Sequence, residues 1–155
     1  LEYHLEQSRR YGERGAIFFV DLDGFKEVND RLGHQAGDEL LKRVAEVLRQ
    51  NLRKTDSIAR LGGDEFAAIL PHTDAYAAHV AADRFRQALS AVTAQSPVAV
   101  SASIGLVVYP DDGDSVECLV ASADRAMYQA KLEGRNRIVV VGKQLAAMPS
   151  LAHAP

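Results

Sequence analysis

Two short stretches of this sequence carry residue types that could hold a metal ion against a phosphate. The first is Asp21-Leu22-Asp23-Gly24-Phe25-Lys26, where two carboxylates close an apolar run. In an extended chain Asp21 and Asp23 point to one face and Leu22 to the other. Strand ends of this kind are common places for ligands, although a polar turn that merely ends a strand accounts for the segment equally well by itself. An EF-hand is excluded by spacing. Its loop needs Gly at position six and Glu at twelve, whereas counting from Asp21 puts Gly24 at four and Leu32 at twelve. The second stretch is Gly62-Gly63-Asp64-Glu65. Glycines permit positive φ and let a ligand close to the backbone. The adjacent carboxylates repel one another unless a cation or water screens them. If the strand ending at Asp21 lies beside this turn, three acidic side chains converge. Hard oxygens completed by phosphate and water are what Mg²⁺ prefers, and such a pocket suits metal-assisted phosphoryl or nucleotidyl transfer.

Other residues could recognise the rest of a nucleotide. Asn29 and Asp38 can hydrogen-bond a base edge, since Asp accepts and Asn does both; guanine offers N–H donors to a carboxylate. Helix capping explains Asp38 as well, and a turn explains Asn29. Lys131 and Arg135 stand four apart where a helix should end. Cations are favoured there by the helix dipole alone, and they could equally clamp a triphosphate. Arg53 and Asp56 frame a short Arg-x-x-Asp stretch. Arg can meet phosphate or guanine O6 and N7, and Asp can accept from guanine N–H groups. There is no Gly-x-x-x-x-Gly-Lys-Ser/Thr loop and no Gly-x-Gly-x-x-Gly fingerprint, which sets aside a P-loop NTPase and a dinucleotide-binding fold. No Gly-x-Ser-x-Gly elbow occurs, and Cys118, expected mid-helix, has no evident base beside it, so nucleophilic hydrolysis is disfavoured.

The elements that must position these residues follow from periodicity. Leu1 to Tyr11 reads as the end of a helix. Ala16 to Leu22 carries the continuous apolar run Ala-Ile-Phe-Phe-Val closing on Asp21 and predicts a short buried strand. Phe25 to Leu32 predicts a helical turn before Gly33. Leu41, Val44, Leu48 and Leu52 predict a helix over Asp38–Leu52. Ser57–Leu61 and Phe66–Leu70 predict two strands of a hairpin around the Gly-Gly turn. Ala78, Ala82, Phe85 and Leu89 mark a helix over Ala75–Val92, and Val98 to Tyr109 alternates as a long strand. Ser115 is the expected N-cap of the next helix, which buries Leu119, Ala123, Met127 and Ala130 and stops at Gly134. Arg137–Val141 predicts the last strand. Helices alternating with strands, plus an internal hairpin, imply a mixed sheet with helices packed on it.

Composition fits one domain. The chain has 155 residues, 47% hydrophobic and 25% charged, enough to bury a real core. Eighteen basic against 21 acidic residues give a net charge of −3, which disfavours broad nucleic-acid binding. One cysteine excludes an internal disulfide framework. No apolar run approaches the length of a membrane span, and no signal peptide is seen. The chain begins at Leu1 inside a helical pattern, and we expect a domain over residues 1–143, truncated at its N-terminus and cut from a longer protein, followed by a disordered tail over residues 144–155.

Together the pieces resemble the GGDEF domains, the diguanylate cyclases. Arg60-Leu61-Gly62-Gly63-Asp64-Glu65-Phe66 is similar to the signature that names the family. Phe19-Val20-Asp21-Leu22-Asp23-Gly24-Phe25-Lys26, Asn29-Asp30-x-x-Gly33-His34-x-x-Gly37-Asp38, Ser103-Ile104-Gly105 and Ala123-Asp124-x-Ala126-Met127-Tyr128-x-Ala130-Lys131-x-x-Gly134-Arg135-Asn136 follow its pattern in order. The likeness runs from about Ala16 to Val139. The usual opening Asp-x-Leu-Thr-Gly-Leu-x-Asn-Arg is missing, which puts full activity in question but not the fold.

The resemblance implies an α+β fold with a central mixed, mainly antiparallel sheet of about five strands covered by helices, like the palm of polymerases and class III nucleotide cyclases. It implies a bacterial signalling enzyme, a nucleotidyltransferase that condenses two GTP into cyclic di-GMP with release of two pyrophosphates. Carried over by position, Asp21, the carbonyl of Leu22, Asp64 and Glu65 would hold Mg²⁺ or Mn²⁺, two ions per site, with Asp64 and Glu65 as the catalytic acidic residues. Asn29 and Asp38 would read guanine, with His34 nearby. Gly24, Phe25, Lys26, Lys131 and Arg135 would meet the phosphates, and Gly62 and Gly63 would let the hairpin approach. Arg53 and Asp56, with Arg84 from the following helix, match an inhibitory site for the product. One guanine-reading pair per chain against two GMP units in the product implies a homodimer at catalysis. The resemblance further implies an upstream sensor or regulatory domain, a cytoplasmic location for this domain with membrane anchoring of the full-length protein left open, and no nucleic-acid partner. The alternative is a catalytically weak GTP or cyclic di-GMP receptor. Degenerate signatures accompany that role, and this signature is intact.

Overall fold

The computed structural model describes residues 1–142, so the expected tail lies outside the described residues. The chain runs α1 (Glu2–Tyr11), β1 (Gly15–Asp23), α2 (Phe25–Leu32), α3 (His34–Asn51), β2 (Ser57–Gly62), β3 (Glu65–Pro71), α4 (Ala75–Thr93), β4 (Ser101–Tyr109), α5 (Val116–Leu132) and β5 (Arg137–Val140). The five strands form one sheet in the order β2-β3-β1-β4-β5. β1 is central and pairs antiparallel with β3 and β4, the hairpin β2–β3 is antiparallel, and β5 joins β4 in parallel. The expected mixed, mainly antiparallel sheet is therefore present.

Alternation along β1 divides the core. Ala16, Phe18, Val20 and Leu22 join one apolar cluster with residues of α2, α3 and α4. Ile17 and Phe19 join the other with Leu5 of α1 and Leu119, Ala123 and Met127 of α5. A strand buried on both faces must read as a continuous apolar run, which is how this segment appears in sequence. By the same period, Asp21 and Asp23 fall on the α5 side and Leu22 on the other.

Several boundaries differ from the sequence reading. α3 begins at His34, not Asp38, and its N-cap is Gly33, without a side-chain cap. Asp38 is thus inside the helix, and the capping explanation for it is removed. Polar residues such as His34 and Gln35 gave the periodicity no apolar mark there. β4 starts at Ser101 rather than Val98; Val98 and Val100 are buried without being in the strand. α5 closes with Glu133 as C-cap, and Gly134 follows it with φ 116°. Cys118 lies in the first turn of α5 and is exposed, not mid-helix. Ser115 caps α5 as expected, accepting from the Cys118 amide at 3.2 Å.

Candidate functional site

The site forms where β1 ends. Register places Asp21 opposite Glu65 on β3, and the Leu22 amide donates to the Asp64 carbonyl at 3.2 Å. The hairpin tip therefore lies beside the terminal carboxylates of β1, the arrangement on which the sequence reading of a shared acidic site depended. Arg60 secures the tip: its Nε and Nη2 both donate to the Gly63 carbonyl, at 3.0 and 2.7 Å. Gly62 and Gly63 are exposed, and Asp64 and Glu65 are half-buried.

Asp21 is buried, and its Oδ2 accepts from Lys131 Nζ at 2.6 Å. Burial pushes the Asp21 carboxyl above the ordinary carboxylate range. Lys131 pulls against that shift, while the nearby Asp64 and Asp23 charges add to it. Two acidic neighbours close enough to act on Asp21 make this a concentrated negative site.

Beyond β1 the chain turns at Gly24, the N-cap of α2, with φ 85°. A Cβ there would run into the Ala99 carbonyl, so both conformation and space require glycine. Phe25 and Lys26 open α2, whose first amides are free of helical partners and suit an anion. Lys26 is exposed. Asn29 lies on the last turn of α2, and its Oδ1 packs onto Gly37 of α3, where a Cβ would collide with it. His34 and Asp38 are exposed on the first turns of α3. A cavity of about 460 Å³ lies between α3 and the hairpin, lined by Asp38, Leu41, Lys42, Arg60 and Phe66.

Lys131 reaches the site from the last turn of α5. Arg135 is not on that helix. It stands in the turn before β5 with φ 62°, mostly exposed, its Nε 3.9 Å from Asp23 Oδ1. The four-residue spacing thus places the two cations near successive acids, Asp21 and Asp23, by different backbones.

Arg53, Asp56 and Arg84 gather elsewhere, around a cavity of about 370 Å³ between the end of α3, the connection from α3 to β2, the end of β3 and α4. The Arg53 amide donates to Asp56 Oδ2 at 2.7 Å, and Arg84 Nη2 donates to the Asn51 carbonyl at 2.6 Å. Asp56 Oδ1 is buried with no hydrogen-bond partner among the described residues.

Among the described residues no group of three His, Cys, Asp or Glu side chains could hold a metal unaided. The donors at the end of β1 fit Mg²⁺ in the way that ion is usually bound, by one or two carboxylates with phosphate and water completing the octahedron. No described helix is long and apolar enough to cross a membrane.

Sequence reasoning missed Ser101 and Arg86, and it gave no contact to Arg60, Ser103 or Asn136, which it saw only as parts of the family motifs. These residues are distant in sequence, and only the pairing of β1 with β4 and the packing of α4 unite them.

A family model described as "Diguanylate cyclase, GGDEF domain" matches residues 1–137. The bifunctional diguanylate cyclase/cyclic di-GMP phosphodiesterase MucR of Pseudomonas aeruginosa is 45% identical over 138 residues, covering 88% of this chain and 20% of that protein. The crystal structure of the GGDEF domain of TpbB (YfiN) from Pseudomonas aeruginosa is similar at 39% identity and a TM-score of 0.85, covering 92% of this chain and 91% of that one. The GGDEF domain of DgcB from Caulobacter crescentus, crystallised with c-di-GMP, is 28% identical with a TM-score of 0.80, covering 90% of this chain and 85% of that one. The chain spans only about a fifth to a third of the length of the first curated relatives it matches.

Proposed function

Because the chain belongs to the GGDEF family of diguanylate cyclase domains, we propose that it condenses two GTP into cyclic di-GMP and two pyrophosphates. The observation that carries this reading is the sheet register that sets Asp64 and Glu65 beside Asp21, which the Lys131 ammonium also meets, with α2 opening at Phe25 just past the end of β1.

In this reading Asn29 and Asp38 hold guanine by its edge, with His34 close by. The Phe25 and Lys26 amides and the Lys26, Lys131 and Arg135 side chains hold the phosphates. Gly24 permits the tight entry into α2, and Gly62 and Gly63 keep the tip free of side chains. Asp21, the Leu22 carbonyl, Asp64 and Glu65 would hold divalent cations, Mg²⁺ or Mn²⁺, two per site. When bound, such ions lower the pKa of an attacking hydroxyl and neutralise leaving phosphate charge.

The reaction joins the 3′-oxygen of one GTP to the α-phosphorus of the other. The bond from that phosphorus to the bridging oxygen breaks, pyrophosphate leaves, and the hydroxyl proton passes to the Asp64–Glu65 carboxylates or to water. The same exchange in the opposite sense closes the ring. Lys131 and Arg135 stabilise the charge that accumulates on the departing pyrophosphate. Since each chain presents one guanine-reading pair, two copies face each other around a two-fold axis. Product feedback belongs to the same reading. Arg53, Asp56 and Arg84 bind cyclic di-GMP, supported by the unpartnered Asp56 Oδ1 in their cavity.

The test is incubation of the chain with GTP and Mg²⁺ at high protein concentration. Cyclic di-GMP should form, and Asp64→Asn should slow it by roughly 10²–10³, the usual cost of losing one group that stabilises developing charge. Formation of a cyclic mononucleotide alone, or GTP binding without turnover by a dimerised chain, would overturn the proposal.

A further inference from the structure

Asp23 differs from Asp21 in what surrounds it. It is buried, 8% exposed, and its oxygens are already engaged by the protein. Oδ1 accepts from Ser103 Oγ at 2.8 Å, and Oδ2 accepts from Ser101 Oγ at 2.8 Å and from the Asn136 amide at 3.2 Å. Arg135 Nε lies 3.9 Å from Oδ1. A carboxylate offers about four acceptor directions, and three are taken here by donors in good geometry with a fourth facing a cation. A metal would have to displace them.

The segment that Asp23 holds is itself unusual. Between α5 and β5 the backbone is left-handed at two successive residues bearing Cβ atoms, Arg135 at φ 62° and Asn136 at φ 48°. Such residues rarely enter this region, and a run of two needs outside support. The support comes from three sides. The Arg135 amide donates to the Ala130 carbonyl at 2.9 Å. The Asn136 amide is held by Asp23. The Asn136 side chain accepts from Arg86 Nη1 of α4 at 3.0 Å, and Arg86 is fixed in turn by Asp83 at 2.8 and 3.0 Å. The exposed Arg135 side chain projects from this clamped turn.

We propose that Asp23 is a positioning residue: by holding the left-handed Arg135–Asn136 turn, with Arg86 bracing its far side, it aims Arg135 at the phosphates of the bound nucleotide. This rests on the reading of the site given above, and it assigns Asp23 to the shape of the phosphate clamp rather than to the metal. Ser101 and Ser103 keep its carboxylate oriented, so one buried side chain ties β1, β4 and the α5–β5 turn together beneath the site.

The test compares binding of a non-hydrolysable GTP analogue with binding of GMP, both with Mg²⁺, to the full chain. GMP reports the base-reading half of the site and the analogue adds the distal phosphates. Asp23→Asn replaces an acceptor with a donor facing the Asn136 amide or a serine. It should weaken the analogue by about tenfold, in keeping with the loss of a charged acceptor, and leave GMP within about twofold. Arg86→Met lies outside the nucleotide site and spares the β1 end. It keeps the proposal testable if Asp23→Asn does not fold, and should weaken the analogue by about threefold, with Arg86→Lys restoring part of the loss. The KM for GTP should rise in parallel. Equal losses for GMP and analogue, an unaffected analogue in a folded Arg86→Met, or a loss in Asp23→Asn confined to Mn²⁺ affinity would each overturn it. Failure of the wild-type chain to bind the analogue would instead overturn the cyclase reading beneath it.

Discussion

Small steric facts decide what the residues proposed to read the base can do. Asn29 Oδ1 occupies the space that a Cβ on residue 37 would fill, and Gly37 is buried inside α3. Glycine normally weakens a helix interior by about 1 kcal/mol relative to alanine, so its presence here trades helix stability for the placement of the Asn29 amide. Gly37→Ala should leave the melting temperature unchanged or raise it, since the Asn29 tip is flexible enough to move. The displaced amide should raise the KM for GTP about tenfold, near 1.4 kcal/mol, and narrow the preference for GTP over ATP. Steady-state kinetics with both nucleotides checks this, and unchanged values would mean that Asn29 does not read the base. At this scale the sequence showed the acidic and basic residues well, because a carboxylate pair next to glycines is conspicuous. Residue types alone did not separate Asp21 from Asp23; the family resemblance singled out Asp21 and left Asp23 without a part. Their partners differ, Lys131 for one and two serines with an amide for the other.

Elements were legible where their burial was periodic. α4 and α5 and the β2–β3 hairpin appear close to where apolar spacing and the Gly-Gly turn placed them. The start of α3 was not legible, because His34 and Gln35 are exposed and carry no apolar signal. The extra turn matters, since it brings Gly37 under Asn29. Sheet order was not legible either. The pairing of β1 with both β3 and β4 comes from long-range packing that no local pattern encodes. The second cavity is a product of elements rather than of one motif: Arg53 and Asp56 lie in the α3–β2 connection, and Arg84 is brought to them by α4. Calorimetry with cyclic di-GMP should show at least a tenfold weaker affinity in Arg53→Ala, because a guanidinium contacting phosphate or guanine is worth about 1–3 kcal/mol. Binding of the GTP analogue should be unchanged, since Arg53 does not line the cavity beside the hairpin tip. Equal product affinity in the two proteins would remove the inhibitory role.

For the molecule as a whole, the placement of the site makes a prediction about order of reaction. Asp21, Asp64 and Glu65 sit together where the central strand β1 ends and β3 begins, with exposed Gly62 and Gly63 at the hairpin tip and exposed Arg135 in the turn before β5. In the proposed reaction the one guanine-reading pair, Asn29 and Asp38, and the one set of phosphate-binding residues would hold a single GTP per chain, whereas the product needs two. A second nucleotide must then arrive on a second copy, with each 3′-hydroxyl presented to the other's α-phosphorus. At concentrations below the dissociation constant of that encounter, the rate of cyclic di-GMP formation should rise with roughly the square of protein concentration, so the rate per chain doubles when protein doubles. Fusing the chain to a parallel dimeric coiled coil supplies a high effective concentration and should flatten that dependence. It should also raise the rate per chain at the lowest concentrations. Mixing wild type with an excess of Asp64→Asn should depress turnover beyond simple dilution, because mixed pairs carry only one intact acidic tip. A rate per chain that stays constant on dilution, in the unfused protein, would show that one copy completes the reaction alone and would remove the two-fold arrangement.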